Sequence, residues 1–124
     1  MNLLLDTHAL VWWLTDEPMV ADVIERIADP DTLVAVSAAS VWEIAIKRAL
    51  GKLEFDGSVS DQVEAEGFTP LPLGLAHAER AGGLPAHHRD PFDRLLIAQA
   101  QIEKLVLVTR DADLADYDVA VLTC

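Results

Sequence analysis

The sequence predicts an α/β fold, a three-layer α/β/α sandwich around a mainly parallel sheet. Two observations predict it. Apolar runs of strand length, Leu3-Leu4-Leu5, Leu33-Val34-Ala35-Val36 and Leu105 to Thr109, alternate with stretches of helical pattern, the order that winds a parallel sheet. Acids stand where these elements begin or end: Asp6 closes the first run and Asp111 follows the third. In open parallel sheets, ligands gather at the carboxyl ends of strands, where strand order reverses.

Element by element, residues 2–5 read as a buried strand, and a helix follows from Thr7 to Leu14, ending before Thr15-Asp16-Glu17-Pro18. A second helix, Val20 to Ala28, is stopped by the turn signal Asp29-Pro30-Asp31. After strand 33–36, Ser37 caps a helix over 38–50 whose Ala38, Val41, Trp42, Ala45 and Ala49 form one apolar face, with Gly51 as its C′ residue. Residues 58–66 suit a short polar helix. Phe68 to Leu73 carries Pro70 and Pro72 and fits only an edge or irregular strand, because proline cannot donate to a ladder. Leu75 to Ala81 reads as a short helix ended by Gly82-Gly83. The helix over 91–104 is apolar on nearly every side and should be covered by other elements. Strand 105–109, a short helix from Ala112 to Tyr117 and strand 119–122 complete the order.

Composition narrows the class. The length of 124 residues suits a single domain spanning 1–124, and the 52% hydrophobic fraction supplies enough apolar surface to offset chain entropy. No apolar stretch approaches a bilayer span, and Asp6 interrupts the first apolar run, so a cytoplasmic protein without membrane contact is expected. Cys124 is the single cysteine, which excludes an internal disulfide and a cysteine-rich zinc site. The net charge of −12 opposes a phosphate backbone. Bound divalent cations would reverse the field at an acidic cluster, and the basic residues are locally grouped. Lys47, Arg48, Arg89, Arg94 and Arg110 are the candidates for RNA contact.

Four acids carry the chemical argument: Asp6, Glu43, Asp93 and Asp111. Carboxylates gathered at one sheet edge repel one another unless a cation joins them, and hard oxygen donors call for Mg²⁺ or Mn²⁺. Each also has a plainer role. Asp6 and Asp111 sit where an N-cap belongs, and Thr7 serves equally as a cap or as a holder of water or phosphate. Asp90-Pro91-Phe92-Asp93 reads as N-cap, N1, N2 and N3, which explains Asp90 fully. Asp93 leads a helix that should be buried, where an ionised carboxylate needs a partner. Locally, Glu43 is best read as an ion pair with Lys47 four residues on. His87, His88, Asp90 and Asp93 suggest a rival Zn²⁺ or Fe²⁺ site, disfavoured because the spacing matches no zinc signature and adjacent histidines rarely face one ion. Trp12, Trp13 and Trp42 fall in helical apolar patterns, which assigns them to core or interface rather than to base stacking.

Taken together, the stretches LLLDTHALVWWL, VSAASVWEIAIKRALGKL, HHRDPFDRLLIAQAQ and LVTRDADLADY resemble PIN-domain proteins, and among these the VapC toxins of bacterial toxin–antitoxin pairs. The resemblance runs over essentially the whole chain. It implies a PIN-like α/β/α sandwich, a homodimer or larger toxin–antitoxin assembly, and Mg²⁺- or Mn²⁺-dependent endoribonuclease activity on tRNA or ribosomal RNA, restrained by a cognate antitoxin. It places the family's acidic quartet on Asp6, Glu43, Asp93 and Asp111, which moves Glu43 from ion pair to site residue. Asp6, Asp93 and Asp111 would bind one or two ions, Glu43 would orient or deprotonate the attacking water, and Thr7, Asp90 and Thr109 would support the site. Three rivals remain open: a structure-specific DNA nuclease of the same fold, a non-catalytic antitoxin-binding module, and a receiver-like Mg²⁺-binding module. The last requires a second acid beside Asp6 and a lysine at a later strand end, where the chain has Thr7 and Arg110.

Overall fold

The computed structural model describes residues 1–124. Five short strands, β1 (Leu3–Leu5), β2 (Val34–Ser37), β3 (Thr69–Leu71), β4 (Val106–Thr109) and β5 (Val121–Thr123), form one sheet in the order β3-β2-β1-β4-β5. Every pairing is parallel, with Leu3 opposite both Val34 and Val106 and Leu5 opposite Val36 and Val108. The chain winds outward from β1 to β3, then crosses to the other side of β1 for β4 and β5. Right-handed crossovers in opposite directions put their helices on opposite faces.

The sequence shows this layering directly. Leu3, Leu5, Val34, Val36 and Val108 pack on one face with Ala9 and Leu10 of α1 (Thr7–Leu14), Val23 and Ile27 of α2 (Ala21–Ala28), Ile44 of α3 (Ala38–Ala49) and Val59 and Val63 of α4 (Val59–Ala65). Leu4, Ala35 and Leu107, one residue out of phase, pack on the other face with Leu96, Ile97 and Ala100 of α6 (Pro91–Glu103) and with Leu114 and Tyr117. A two-residue side-chain period separates the sets. Leu3, Leu4 and Leu5 are each fully buried, as a strand covered on both faces must be, and each such side chain contributes roughly 1.5–3 kcal/mol. α5 (Leu75–Gly83) packs on α6, with buried His77 reaching Glu103 at 3.0 Å. No helix is long and apolar enough to cross a membrane.

Several expectations hold in detail. Gly51 takes φ +70°, its N–H bonds to the Arg48 carbonyl at 3.1 Å, and the Lys52 N–H bonds to the Lys47 carbonyl at 2.8 Å. This is a Schellman end to α3. Pro70 lies on edge strand β3, with no ladder partner on its outer side. Others need correction. The last helix is a 3₁₀ turn over Ala112–Asp116, and the last strand starts at Val121 rather than 119. α5 runs through Gly82 and Gly83 instead of stopping before them. The apolar face read on α3 meets the core only through half-buried Val41: Ala38, Trp42, Ala45 and Ala49 are exposed, while Ala39, Ser40, Glu43 and Ile44 are buried. The helix turns two polar side chains inward because they meet Thr7 of α1 there.

Candidate active site

The carboxyl ends of β1 and β4 are adjacent, and one hydroxyl ties their acids together. Asp6 ends β1 and caps α1, its Oδ1 accepting the Ala9 N–H at 2.8 Å, and it is 4% exposed. The buried Thr109 hydroxyl accepts the Asp111 N–H at 3.0 Å and also bonds the Asp6 carboxyl. Asp111 caps the 3₁₀ turn through Oδ1, which accepts the Asp113 N–H at 2.9 Å, while its Oδ2 lies 3.3 Å from His88 Nε2. One oxygen of Asp111 thus caps the turn while the other faces His88.

At the start of α6, Asp90 takes the capping work and frees Asp93. Asp90 Oδ1 accepts the Phe92 N–H at 2.9 Å and the Asp93 N–H at 3.4 Å. The Asp93 side chain turns away from the helix end, its Oδ2 3.1 Å from the same His88 Nε2.

Glu43 is 6% exposed and forms the ion pair that its spacing to Lys47 predicts. Its Oε1 accepts the Thr7 hydroxyl at 2.5 Å, and its Oε2 pairs with Lys47 Nζ at 2.9 Å. Thr7 Oγ1 also lies 3.2 Å from Ser40 Oγ. Asp6 and Asp93 both feel the negative charge of Glu43.

Asp6, His8, Trp12, Asp93, Arg110 and Asp111 line one pocket of about 320 Å³. Its carboxylates are costly to ionise. Burial raises the Asp6 carboxyl above the ordinary value, against the Thr109 bond, the Ala9 N–H and His8, while Glu43 adds to the rise. Asp93 is pushed up to about 6, first by burial, then by Asp90, with Asp6 and Glu43 adding and His88 opposing. His88 Nε2 and the carboxylate oxygens of Asp93 and Asp111 all lie within 4.8 Å of one another. Mutually repelling carboxylates at that spacing, in partial burial, fit a divalent cation: the chemistry of the donor set and its uncompensated charge both ask for one.

The structure thus brings Asp6, Asp93 and Asp111 into one pocket, with Glu43 behind Thr7 and Asp90 and Thr109 holding the frame. Of the basic candidates, Arg110 lines the pocket: its guanidinium lies 3.6 Å over the Trp12 ring and donates to the Pro18 carbonyl at 3.3 Å. Arg89 is exposed and forms no ion pair or hydrogen bond. Arg94 is a correction. Its guanidinium donates to the carbonyls of Ala81, Leu84, Pro85 and His88 at 2.9–3.1 Å, so it is spent on folding the loop before α6. Lys47 is committed to Glu43, and Arg48 donates to the Gly57 carbonyl at 2.8 Å.

Two residues stand elsewhere than the reading of the sequence put them. Trp12 is half-buried and forms a wall of the pocket. His88 joins Asp93 and Asp111, whereas His87 stacks edge-on against Tyr117 at 5.1 Å and Asp90 caps α6. Of the rival histidine-containing cluster, one histidine and one acid belong with the carboxylates. The signal for it was present, since a histidine five residues before Asp93 lies in the loop entering that helix, but the alternation of two adjacent side chains hid which one turns inward.

The sequence matches the family model of the PIN domain over residues 3–120. Among solved structures, the fold is similar to VapBC2 from Rickettsia felis bound to a DNA fragment from its promoter, at 15% identity and TM-score 0.75, covering 100% of this chain and 99% of that one. It is similar to a toxin–antitoxin complex from Klebsiella pneumoniae at 21% identity and TM-score 0.68, covering 98% and 96%. It also resembles VapBC-5 from Mycobacterium tuberculosis at 18% identity and TM-score 0.64, covering 99% and 98%. No curated protein matches the sequence. With nearly the whole length matched by the family model and the acids of β1, α6 and β4 converging at one sheet edge, the chain belongs to the PIN-domain family.

Proposed function

We propose that this chain, as one domain over 1–124, is a Mg²⁺- or Mn²⁺-dependent endoribonuclease and the toxin of a toxin–antitoxin pair. The observation that carries the reading is the convergence of Asp6, Asp93 and Asp111 on one pocket at the carboxyl edge of a PIN sheet. The antitoxin partner is inferred from the fold's likeness to VapBC complexes, and a net charge of −12 suits a basic segment of that partner.

Asp93 and Asp111 would hold the cation from opposite elements, with Asp6 on the floor between them. When bound, the cation lowers the pKa of a water and offsets charge on the scissile phosphate. Glu43 would orient the attacking water through the lone pairs that Thr7 and Lys47 leave free, since a carboxylate offers about four acceptor sites. Arg110, held flat on Trp12, presents its free N–H groups to a phosphate. In-line attack by water leaves 5′-phosphate and 3′-hydroxyl ends, with the 2′-hydroxyl as bystander.

Sequencing RNA ends after brief expression, wild type against Asp6→Ala, tests the reading and names the target among tRNA and ribosomal RNA. Expected are new 5′-phosphate ends in the wild type alone. Ends bearing 2′,3′-cyclic phosphate, or equal cutting by Asp6→Ala, overturn it. The purified chain offered single-stranded RNA and flap DNA together separates the DNA-nuclease alternative, and absence of cleavage with any divalent ion leaves only antitoxin binding.

A further inference from the structure

We propose that His88 is a direct ligand of the cation, so that the pocket offers one imidazole nitrogen and two carboxylate oxygens and takes Mn²⁺ in preference to Mg²⁺. The inference rests on the metal reading of this pocket and adds a residue and an ion preference to it.

His88 Nε2 sits between two acids from different elements, 3.1 Å from Asp93 Oδ2 and 3.3 Å from Asp111 Oδ2. Ions of this size hold donors about 2.0–2.1 Å away, so neighbouring donors lie roughly 2.9 Å apart in an octahedron and roughly 3.4 Å apart in a tetrahedron. The two observed spacings fall in that interval. A hydrogen bond satisfies the arrangement less well, because one N–H must be split between two carboxylates. A cation meets all three donors at once.

The loop is built to deliver this one side chain. The His88 N–H donates to the Tyr117 hydroxyl at 2.7 Å, and its carbonyl accepts from Arg94 Nη1 at 3.1 Å. The Tyr117 hydroxyl in turn donates to the Pro85 carbonyl at 3.0 Å. His87, packed on the Tyr117 ring, is turned aside. With the backbone clamped at both its N–H and its carbonyl, the imidazole meets the acids with little orientational freedom left to lose. Imidazole nitrogen is a softer donor than carboxylate or water, and it favours transition-metal dications over Mg²⁺.

The test is Mn²⁺ titration by calorimetry together with pulsed electron paramagnetic resonance on the full chain. Expected are a ¹⁴N coupling from bound Mn²⁺ in the wild type and in His87→Gln, its loss in His88→Gln, and Mn²⁺ binding weakened tenfold or more in His88→Gln with Mg²⁺ binding little changed. Circular dichroism melts show that the variants are folded. Mn²⁺ bound in the wild type without ¹⁴N coupling, yet lost in Asp93→Asn, overturns the His88 assignment and leaves the carboxylate reading standing. No uptake of Mn²⁺ or Mg²⁺ by the wild type overturns both.

Discussion

Arg94 holds His88: its Nη1 donates to the His88 carbonyl at 3.1 Å, while the same guanidinium reaches the carbonyls of Ala81, Leu84 and Pro85. A cation that sequence alone would assign to substrate thus serves as the internal frame of the loop over 84–89. A planar fork of five N–H groups can meet four carbonyls at once, which a lysine cannot.

Replacing Arg94 with methionine should therefore lower stability by about 2–3 kcal/mol, since bonds from charged donors are worth more than neutral ones and four carbonyls lose their partner. Arg94→Lys should recover only part. Urea midpoints of the variants check this. A midpoint unchanged in Arg94→Met would show that the loop holds without it.

The Asp93 carboxyl has a pH consequence. Its pKa is pushed from 3.8 to about 6 in the folded chain, chiefly by burial and by Asp90. The folded state then binds that proton more tightly than the unfolded chain, so stability falls as pH rises from about 4 to about 6. In EDTA the contribution should reach about 1–3 kcal/mol at pH 7, allowing for the partial exposure of the group. Asp93→Asn should flatten this part of the profile and melt no lower than the wild type at pH 7. A melting curve for Asp93→Asn that follows the wild type through the whole pH range contradicts the assignment.

Divalent ions should reverse that loss. At a hundredfold excess over its dissociation constant, an ion bound only to the folded state adds about 2.7 kcal/mol. Mn²⁺ added to the wild type at pH 7 should raise the melting temperature, and Asp111→Asn should reduce the rise. Differential scanning fluorimetry at several ion concentrations gives the comparison.

Trp12 and Arg110 form one stacked wall beside the acids. Stacking of a base on such a surface is worth about 1–3 kcal/mol. Trp12→Ala should raise KM for a short single-stranded RNA roughly tenfold or more and change kcat less. Binding of the uncleaved RNA to an Asp93→Asn background, followed by tryptophan fluorescence, isolates the contact.

Trp42 is 59% exposed on α3, where it meets Phe92 edge-on at 5.5 Å, and Ala38, Ala45 and Ala49 extend the apolar strip. If the strip is the homodimer contact expected from the family resemblance, Trp42→Glu should give a folded monomer. Light scattering after size exclusion reads the mass directly; an unchanged mass places the contact elsewhere.

The order of elements was legible from local pattern, because strand length, capping residues and proline position act over a few residues. Asp6, Asp90 and Asp111 were legible as caps for the same reason. Glu43 shows the limit. Its spacing to Lys47 predicts an ion pair, and the pair exists, but only the packing of α3 on α1 turns its other oxygen to Thr7. The same rotation exposes Trp42, which the apolar periodicity of α3 had assigned to core or interface.

By itself, the sequence determined the alternation of strands and helices and the acids at strand and helix ends. Tertiary structure decided which atoms converge: Asp111 just beyond β4 with Asp93 on α6, His88 rather than His87, and Arg94 bound to four backbone carbonyls of the chain itself. The physical reason is range. Caps and periodicity are set by neighbours along the chain, whereas the facing of two side chains across a pocket depends on crossover direction and helix rotation, which only the packed core settles.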